Sequence, residues 1–229
     1  AGLDAAGTLG GTAQVTGTPA TPEVRFDAQL AGAETSQTRQ AGLGPLAVDA
    51  AGSYTLTGGV ALDHATLTGD KISGTASGTI NPNGASDFAL DLTSSGPSLP
   101  LTVGSAESPV KMEVKSLSAK VAGESTQARL DVSAILPSVT TSPARVDGLV
   151  LALHSDAFDL KNRAGPVSGT VSVDKVGLDN AAIAPLIAGK VTAALNARLT
   201  SDGVAIDSGS LKSDALNSQV AGQVSLRDG

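Results

Sequence analysis

The stretch Val191-Thr-Ala-Ala-Leu-Asn-Ala-Arg-Leu-Thr-Ser-Asp-Gly-Val-Ala-Ile206 decides the fold. Val191, Ala193, Leu195, Ala197 and Leu199 share one parity, interleaved with Thr192, Asn196, Arg198 and Thr200. Strict alternation of this length describes a strand with one apolar and one solvated face. Asp202-Gly203 then sits between two alternating runs, a hairpin signal because the tight turn needs positive φ. The pattern repeats outward along the chain. Val24, Phe26, Ala28 and Leu30 alternate with Arg25, Asp27 and Gln29. Met112 and Val114 alternate with Lys111, Glu113 and Lys115, while Leu149, Leu151 and Leu153 share a parity, as do Val171 and Val173. Asn83-Gly84 and Gly58-Gly59 supply further turns. The reading is all-β, with strands of about five to nine residues recurring every 10 or so, the rhythm of a meander. Only two segments break it. Asp179 to Ala188 and Thr35 to Ala41 each read as one or two helical turns, the first limited by Pro185.

Composition narrows the function. Gly, Ala, Ser and Thr make 109 of the 229 residues, and the aromatics are Phe26, Tyr54, Phe88 and Phe158 alone. Leu, Val, Ile and Phe number 55, about 24%, above the roughly 20% below which a chain stays disordered. The chain therefore folds around a thin interior. A net charge of −7 opposes a nucleic-acid or anionic-membrane surface, and four scattered aromatics make no stacking platform. With no cysteine there is no disulfide framework, thiolate metal site or thiol nucleophile. The longest apolar stretch, Ala181-Ala-Ile-Ala-Pro-Leu-Ile-Ala-Gly189, is far short of the 18 or more residues of a membrane span. No composition shift divides the chain. Residues 1–229 read as a single repetitive segment that begins and ends mid-pattern, as expected of a piece of something longer. A loose unit of small residue, Gly and polar residue recurs at Gly10-Gly-Thr, Ser73-Gly-Thr, Ser77-Gly-Thr, Ser168-Gly-Thr, Ala188-Gly-Lys and Ala221-Gly-Gln. Its spacing is too irregular for a strict solenoid and points to a sheet that grows by addition. The glycines themselves read as turns and strand edges.

Catalytic candidates are weak. His154-Ser-Asp156 has the residue types of a triad, but neighbours along a strand point to opposite faces. By parity His154 is on the face opposite Leu149, Leu151 and Leu153. His64 reads as a rim histidine near a strand end, without a second ligand at metal spacing. Asp156 and Asp159 are three apart and so poorly placed as an acid–base pair. Ala188-Gly-Lys-Val lacks the first Gly and the Ser or Thr of a phosphate loop. No cofactor and no metal site is implied.

What remains is the apolar face. An amphipathic sheet has to bury that face on another layer, on itself or on a ligand, and there are few helices to cover it. Parity nominates a lining for hydrophobic cargo: Phe26, Leu30, Tyr54, Leu56, Leu62, Phe88, Leu90, Met112, Val114, Leu130, Val132, Leu149, Leu151, Leu153, Val171, Val173, Val191, Leu195 and Leu199. Small residues at inward positions such as Ala28, Ala193 and Ala197 leave such a trough unfilled. The competing reading is a structural or adhesive β-solenoid or β-sandwich module whose core is sealed.

Gly10-Gly-Thr-Ala-Gln-Val-Thr-Gly-Thr-Pro-Ala-Thr-Pro-Glu-Val-Arg-Phe26 resembles a recurrent unit of the TamB family, the inner-membrane component of the translocation and assembly module. Ala41 to Tyr54, Leu67 to Ile80, Ala182 to Val191 and Val220 to Leu226 continue the likeness. The resemblance, to TamB and to the wider AsmA-like and bridge-like lipid-transfer families, implies an elongated, curved antiparallel sheet. That sheet would form an open, taco-like groove with an aliphatic interior. It implies a non-enzymatic segment of a Gram-negative periplasmic protein anchored in the inner membrane by a part not present here. The cargo would be phospholipid acyl chains or nascent amphipathic outer-membrane strands, and the partner an Omp85-type outer-membrane protein (TamA-like).

Overall fold

The computed structural model describes residues 5–225, apart from 19–20, 41, 56–58, 82, 105–108, 179–181, 183, 188 and 201. Its strands are β1 (Ala5–Thr18), β2 (Thr21–Thr35), β3 (Leu46–Thr55), β4 (Gly59–Gly69), β5 (Ile72–Ile80), β6 (Ala85–Ser94), β7 (Leu99–Gly104) and β8 (Pro109–Val114). The chain continues through β9 (Ser116–Glu124), β10 (Gln127–Thr141), β11 (Ala144–Phe158), β12 (Gly165–Val173), β13 (Lys175–Leu178), β14 (Val191–Thr200), β15 (Gly203–Lys212) and β16 (Asn217–Ser225). A five-residue helix α1 (Ser36–Gln40) and a 3-10 turn (Ala184–Ile187) are the helical pieces among the described residues. They fall within the two segments whose sequence departs from the β rhythm.

All sixteen strands form one open, antiparallel sheet. Its main path is a meander of thirteen strands, β1-β2-β3-β4-β5-β6-β9-β10-β11-β12-β14-β15-β16. At a spacing near 4.8 Å that path is about 60 Å long. Twisted open sheets of more than about ten strands have to curl, and the pairing shows where this one does. The register shifts around Asp63 and His64 in β4, between Ala128 and Leu130 opposite β11, and between Ile206 and Gly209 in β15. Each extra residue bends its strand and strengthens the local twist.

A second device folds the middle of the sheet. On β8–β9 the apolar-face residues run Met112, Val114, then Leu117; on β10 they run Ala134, Leu136, then Val139; on β11, Val146, then Leu149; on β12–β13, Val173, then Val176. The steps of three coincide at one level across adjacent strands, so the pairing Leu136 to Leu149 and Val139 to Val146 continues without slippage. Met112 pairs with Val139 and Val146 with Val176, which carries the apolar face across the crease. Gly148 has φ +68° at this crease, with the Asp174 side chain packed where a Cβ would be. Beyond it, β7, β8, β13 and the ends of β10 and β11 form a short lobe.

The strands reach 14 or 15 residues in β1, β2, β10 and β11, longer than the five to nine expected. Bulges and the crease reset the parity within a strand, so one long strand reads in sequence as two short alternations. The Asn83-Gly84 and Asp202-Gly203 hairpins form where the turn residues place them, joining β5 to β6 and β14 to β15. Residue 58 lies outside the described residues, but β3 and β4 pair up to Thr55 and Gly59 on either side of it.

The glycines overturn one expectation. Gly11, Gly74, Gly78 and Gly169, from the recurring small-Gly-polar unit, lie within strands and on the apolar face. A Cβ at Gly74 would meet the Leu92 side chain, and one at Gly169 would be 2.6 Å from Leu153 Cδ2. A leucine on one strand thus lies over a glycine on the next. The missing side chains make room for lateral packing, a use of strand glycine distinct from turning.

Candidate functional site: the open apolar face

Register converts parity into geometry. Leu9, Leu30, Val48, Leu67, Gly74, Leu92, Leu117, Ala134, Leu151, Val171, Ala193, Leu211 and Ser218 are successive cross-strand partners, one from each strand of the main path. A neighbouring row runs Gly11, Ala28, Ala50, Ala65, Ala76, Leu90, Ala119, Val132, Leu153, Gly169, Leu195, Gly209 and Val220. Closer to the hairpin end, Phe26 leads through Gly52, Leu62, Gly78, Phe88 and Val121 to Leu130, and Tyr54 lies between Val24 and Val60. Val173 pairs with Val191, and Leu199 with Gly165 and Val204. Eighteen of the nineteen nominated lining residues therefore share one continuous face; Leu56 lies outside the described residues. Ala28, Ala193 and Ala197 are on it as well.

This face is not sealed. No large side chain among the described residues is fully buried, and most of the lining is half-buried. Tyr54 is 40% exposed and Leu195 37%. The total accessible surface is 13820 Å², against about 9,400 Å² for a compact monomer of this mass. The closest thing to a core is the crease, where Leu99, Ala134, Val173 and Val191 are buried. There a cavity of about 300 Å³ is walled by aliphatic side chains from both sides of the fold, among them Leu92, Leu117 and Leu136 facing Leu99, Leu101 and Met112. At its edge Lys115 Nζ donates to the carbonyls of Gly96 (2.7 Å) and Ser94 (3.4 Å). These bonds fasten the β7–β8 lobe to the main sheet. Near the opposite end, Ile80, Ser86, Val121 and Leu160 line a second hollow of about 370 Å³.

The other face is mostly polar, and it holds a hollow of about 690 Å³ over β9 to β14. A twisted sheet is saddle-shaped, so both faces carry concavities. His154 projects into this hollow. Its Nδ1 is 2.6 Å from Asp131 Oδ1 on β10, and its Nε2 is 3.0 Å from Asp156 Oδ1 on its own strand. Arg129 Nε donates to the second oxygen of Asp131 at 3.1 Å. The Asp131 hydrogen bond, then that of Asp156, raises the imidazole pKa above its ordinary value near 6.5. The His154 bond in turn holds the Asp131 carboxyl below its ordinary value. The Asp131 partnership is not local in sequence, because it depends on the register of two long strands.

Ser155 cannot join His154 and Asp156. It faces the apolar side, where its Oγ is buried and has no hydrogen-bond partner among the described residues. Since the two carboxylates occupy different ring nitrogens of His154, they do not converge on one point, and no group of three His, Asp or Glu among the described residues is placed to hold a metal. His64 is in the middle of β4, not near a strand end: the Asp63–His64 bulge turns it onto the polar face, 2.8 Å from Asp49. Asp159 follows β11, outside the strand, and caps the 159–164 turn by accepting from the Asn162 backbone N–H (2.9 Å) and Nδ2 (2.7 Å). No helix among the described residues is long and apolar enough to cross a membrane. Compared with known proteins, the chain matches no family model, no curated protein and no solved structure.

Proposed function

We propose that the chain is a non-enzymatic carrier segment that shields aliphatic cargo along its apolar face. The observation that carries this reading is the pair of uninterrupted cross-strand rows, lined from β2 to β15 by Leu, Val, Ala and Gly with no charged side chain, on a face that the β7–β8 lobe covers only at the crease and that is otherwise open. Burial of alkyl surface there is worth about 25 cal/mol per Å² and is non-directional. Without charged anchors or stacked aromatics the face selects for extended aliphatic cargo and little else. Phospholipid acyl chains and amphipathic strands both meet that description. The TamB-like stretches named above extend the proposal to a periplasmic carrier between inner and outer membranes, cooperating with an Omp85-type partner through parts outside this segment.

The sealed solenoid or sandwich fits less well, because the strand path ends at two unjoined edges and the accessible surface is far above that of a closed domain. Native mass spectrometry of the purified segment tests the reading. The expected result is co-purified phospholipid, lost in Leu195→Asp, whose partly exposed side chain projects from the middle of the face. A lipid-free protein that also takes up no fluorescent fatty acid would sink it.

A further inference from the structure

The crease encloses a space that differs in kind from the open face around it. Its floor includes Leu92, Leu117 and Ala134, three successive members of a row that crosses the main sheet. Its roof is the β7–β8 hairpin, in which Leu99 pairs with Val114 and Leu101 with Met112. The cavity between them is about 300 Å³, and no nitrogen or oxygen atom faces it. Ser94 is among the lining residues, but its hydroxyl is turned aside to donate to the Gly96 carbonyl at 3.2 Å.

We infer that this cavity is a terminal pocket for one alkyl chain: the methyl end of the cargo lodges under the hairpin while its polar end stays outside. The inference rests on the carrier reading and narrows it, from any extended aliphatic cargo to one that presents a free, unsubstituted chain end.

The chemistry of the wall selects the occupant. A buried water needs several polar partners and finds none here, so the space is either dry or filled by hydrocarbon. A headgroup is excluded for the same reason, since a hydroxyl or charge brought inside would have no partner. Size selects further. The space is about twice the roughly 150 Å³ of an engineered dry cavity that admits benzene. If a methylene takes the share of one water in the liquid, about 30 Å³, the cavity holds at most about ten carbons, the end of one chain. Position supplies the route. The same row continues past the cavity to Gly74 on β5 and to Leu151 on β11, so a chain lying along the open face reaches it without passing a polar side chain. Met112, unbranched and polarisable, gives the roof a wall that adapts to what enters.

Met112 is the chain's one methionine, so isotopic labelling of the methionine methyl gives a single NMR resonance that reads this cavity. The delipidated full chain is titrated with sodium octanoate, decanoate and ω-hydroxydecanoate. Decanoate is expected to shift the Met112 methyl to saturation, and to bind more tightly than octanoate by about three- to fourfold per added carbon. ω-Hydroxydecanoate carries a hydroxyl to a wall that offers it no partner, and should bind about 5- to 150-fold more weakly than decanoate. On the open face the same hydroxyl would keep its water and change affinity little. Ala134→Leu fills the cavity from the floor and Leu101→Phe fills it from the roof. Either is expected to abolish the decanoate shift, while uptake of a fluorescent hexadecanoate along the rest of the face persists. A Met112 resonance that does not move with decanoate overturns the proposal, as do equal affinities for decanoate and ω-hydroxydecanoate. Both of those results come from the wild type and need no variant to fold. Failure of the carrier reading is distinguishable, because there the wild type takes up no hexadecanoate at all.

Discussion

At the scale of single residues, glycine is used for room, and two classes of site separate cleanly. At Gly78, φ is +105° and a Cβ would run into the backbone carbonyl of Asp87 on the next strand. Gly78→Ala is therefore expected to destabilise the sheet by about 1–3 kcal/mol through backbone strain, read as a lower midpoint in urea. Gly10→Ala, in open space, should leave the midpoint unchanged or raise it slightly. On the polar face, His154 supplies a pH-dependent brace between β10 and β11. A pKa raised in the folded state contributes stability that is complete below the unfolded value near 6.5 and is lost as pH rises through the folded value. The lowered pKa of Asp131 works in the other direction, complete above about 3.8 and lost as pH falls through the folded value. The brace is thus strongest between those limits, roughly pH 4 to 6.5. An NMR titration should place the His154 midpoint above that of a free imidazole, and Asp131→Asn should bring it down. An unchanged midpoint in Asp131→Asn would show that the 2.6 Å contact does not form in solution.

At the scale of elements, the crease is where the sheet stops being a ribbon. Four adjacent strand lines take a step of three at one level, and Leu99 is brought to 3% exposure against the far side of the fold. Leu99→Ala is expected to cost about 2–5 kcal/mol, the range for removing a buried leucine. Leu9→Ala, on the same face but 74% exposed, should change stability by no more than about 0.5 kcal/mol. Equal effects at the two positions would mean the lobe does not pack as described. This contrast also marks what a linear reading can recover. Which face each of the eighteen described lining residues occupies follows from local alternation alone, because the period of two is set by each strand's own pleat. The crease does not follow, since a step of three is indistinguishable from the end of one strand and the start of another. The His154–Asp131 contact was in principle within reach. Counting back in register from Thr141 and Ala144, on either side of Ser142-Pro143, pairs Asp131 with His154, but only once β10 and β11 are known to run unbroken for fifteen residues. The inward glycines were hidden for another reason: their partners Leu92 and Leu153 are on neighbouring strands, where sequence proximity carries no information.

At the scale of the whole molecule, the unusual quantity is surface. The unfolded chain would expose about 32,000 Å², so folding to 13820 Å² buries about 57% of it. That is the share expected of a domain of about 60 residues, whereas a compact chain of 229 residues would bury about 70%. Such a deficit has a thermodynamic signature independent of any cargo. Compact proteins gain about 12–15 cal/mol/K of heat capacity per residue on unfolding, or about 3 kcal/mol/K for this length. Here the increment is expected to be lower by about a fifth or more, because the surface left unburied in the native state is disproportionately apolar and apolar exposure dominates the positive term. Cargo should reverse the deficit. Alkyl chains laid along the face remove apolar surface from water in the native state only, so binding carries a negative heat-capacity change and the unfolding increment of the loaded protein should rise toward the compact value. Differential scanning calorimetry of the delipidated and the phospholipid-loaded chain measures both increments. A delipidated protein that already unfolds with the full compact increment would mean that the apolar face is closed in solution. The rows from Leu9 to Leu211 and from Ala28 to Val220 would then be a core and not a lining.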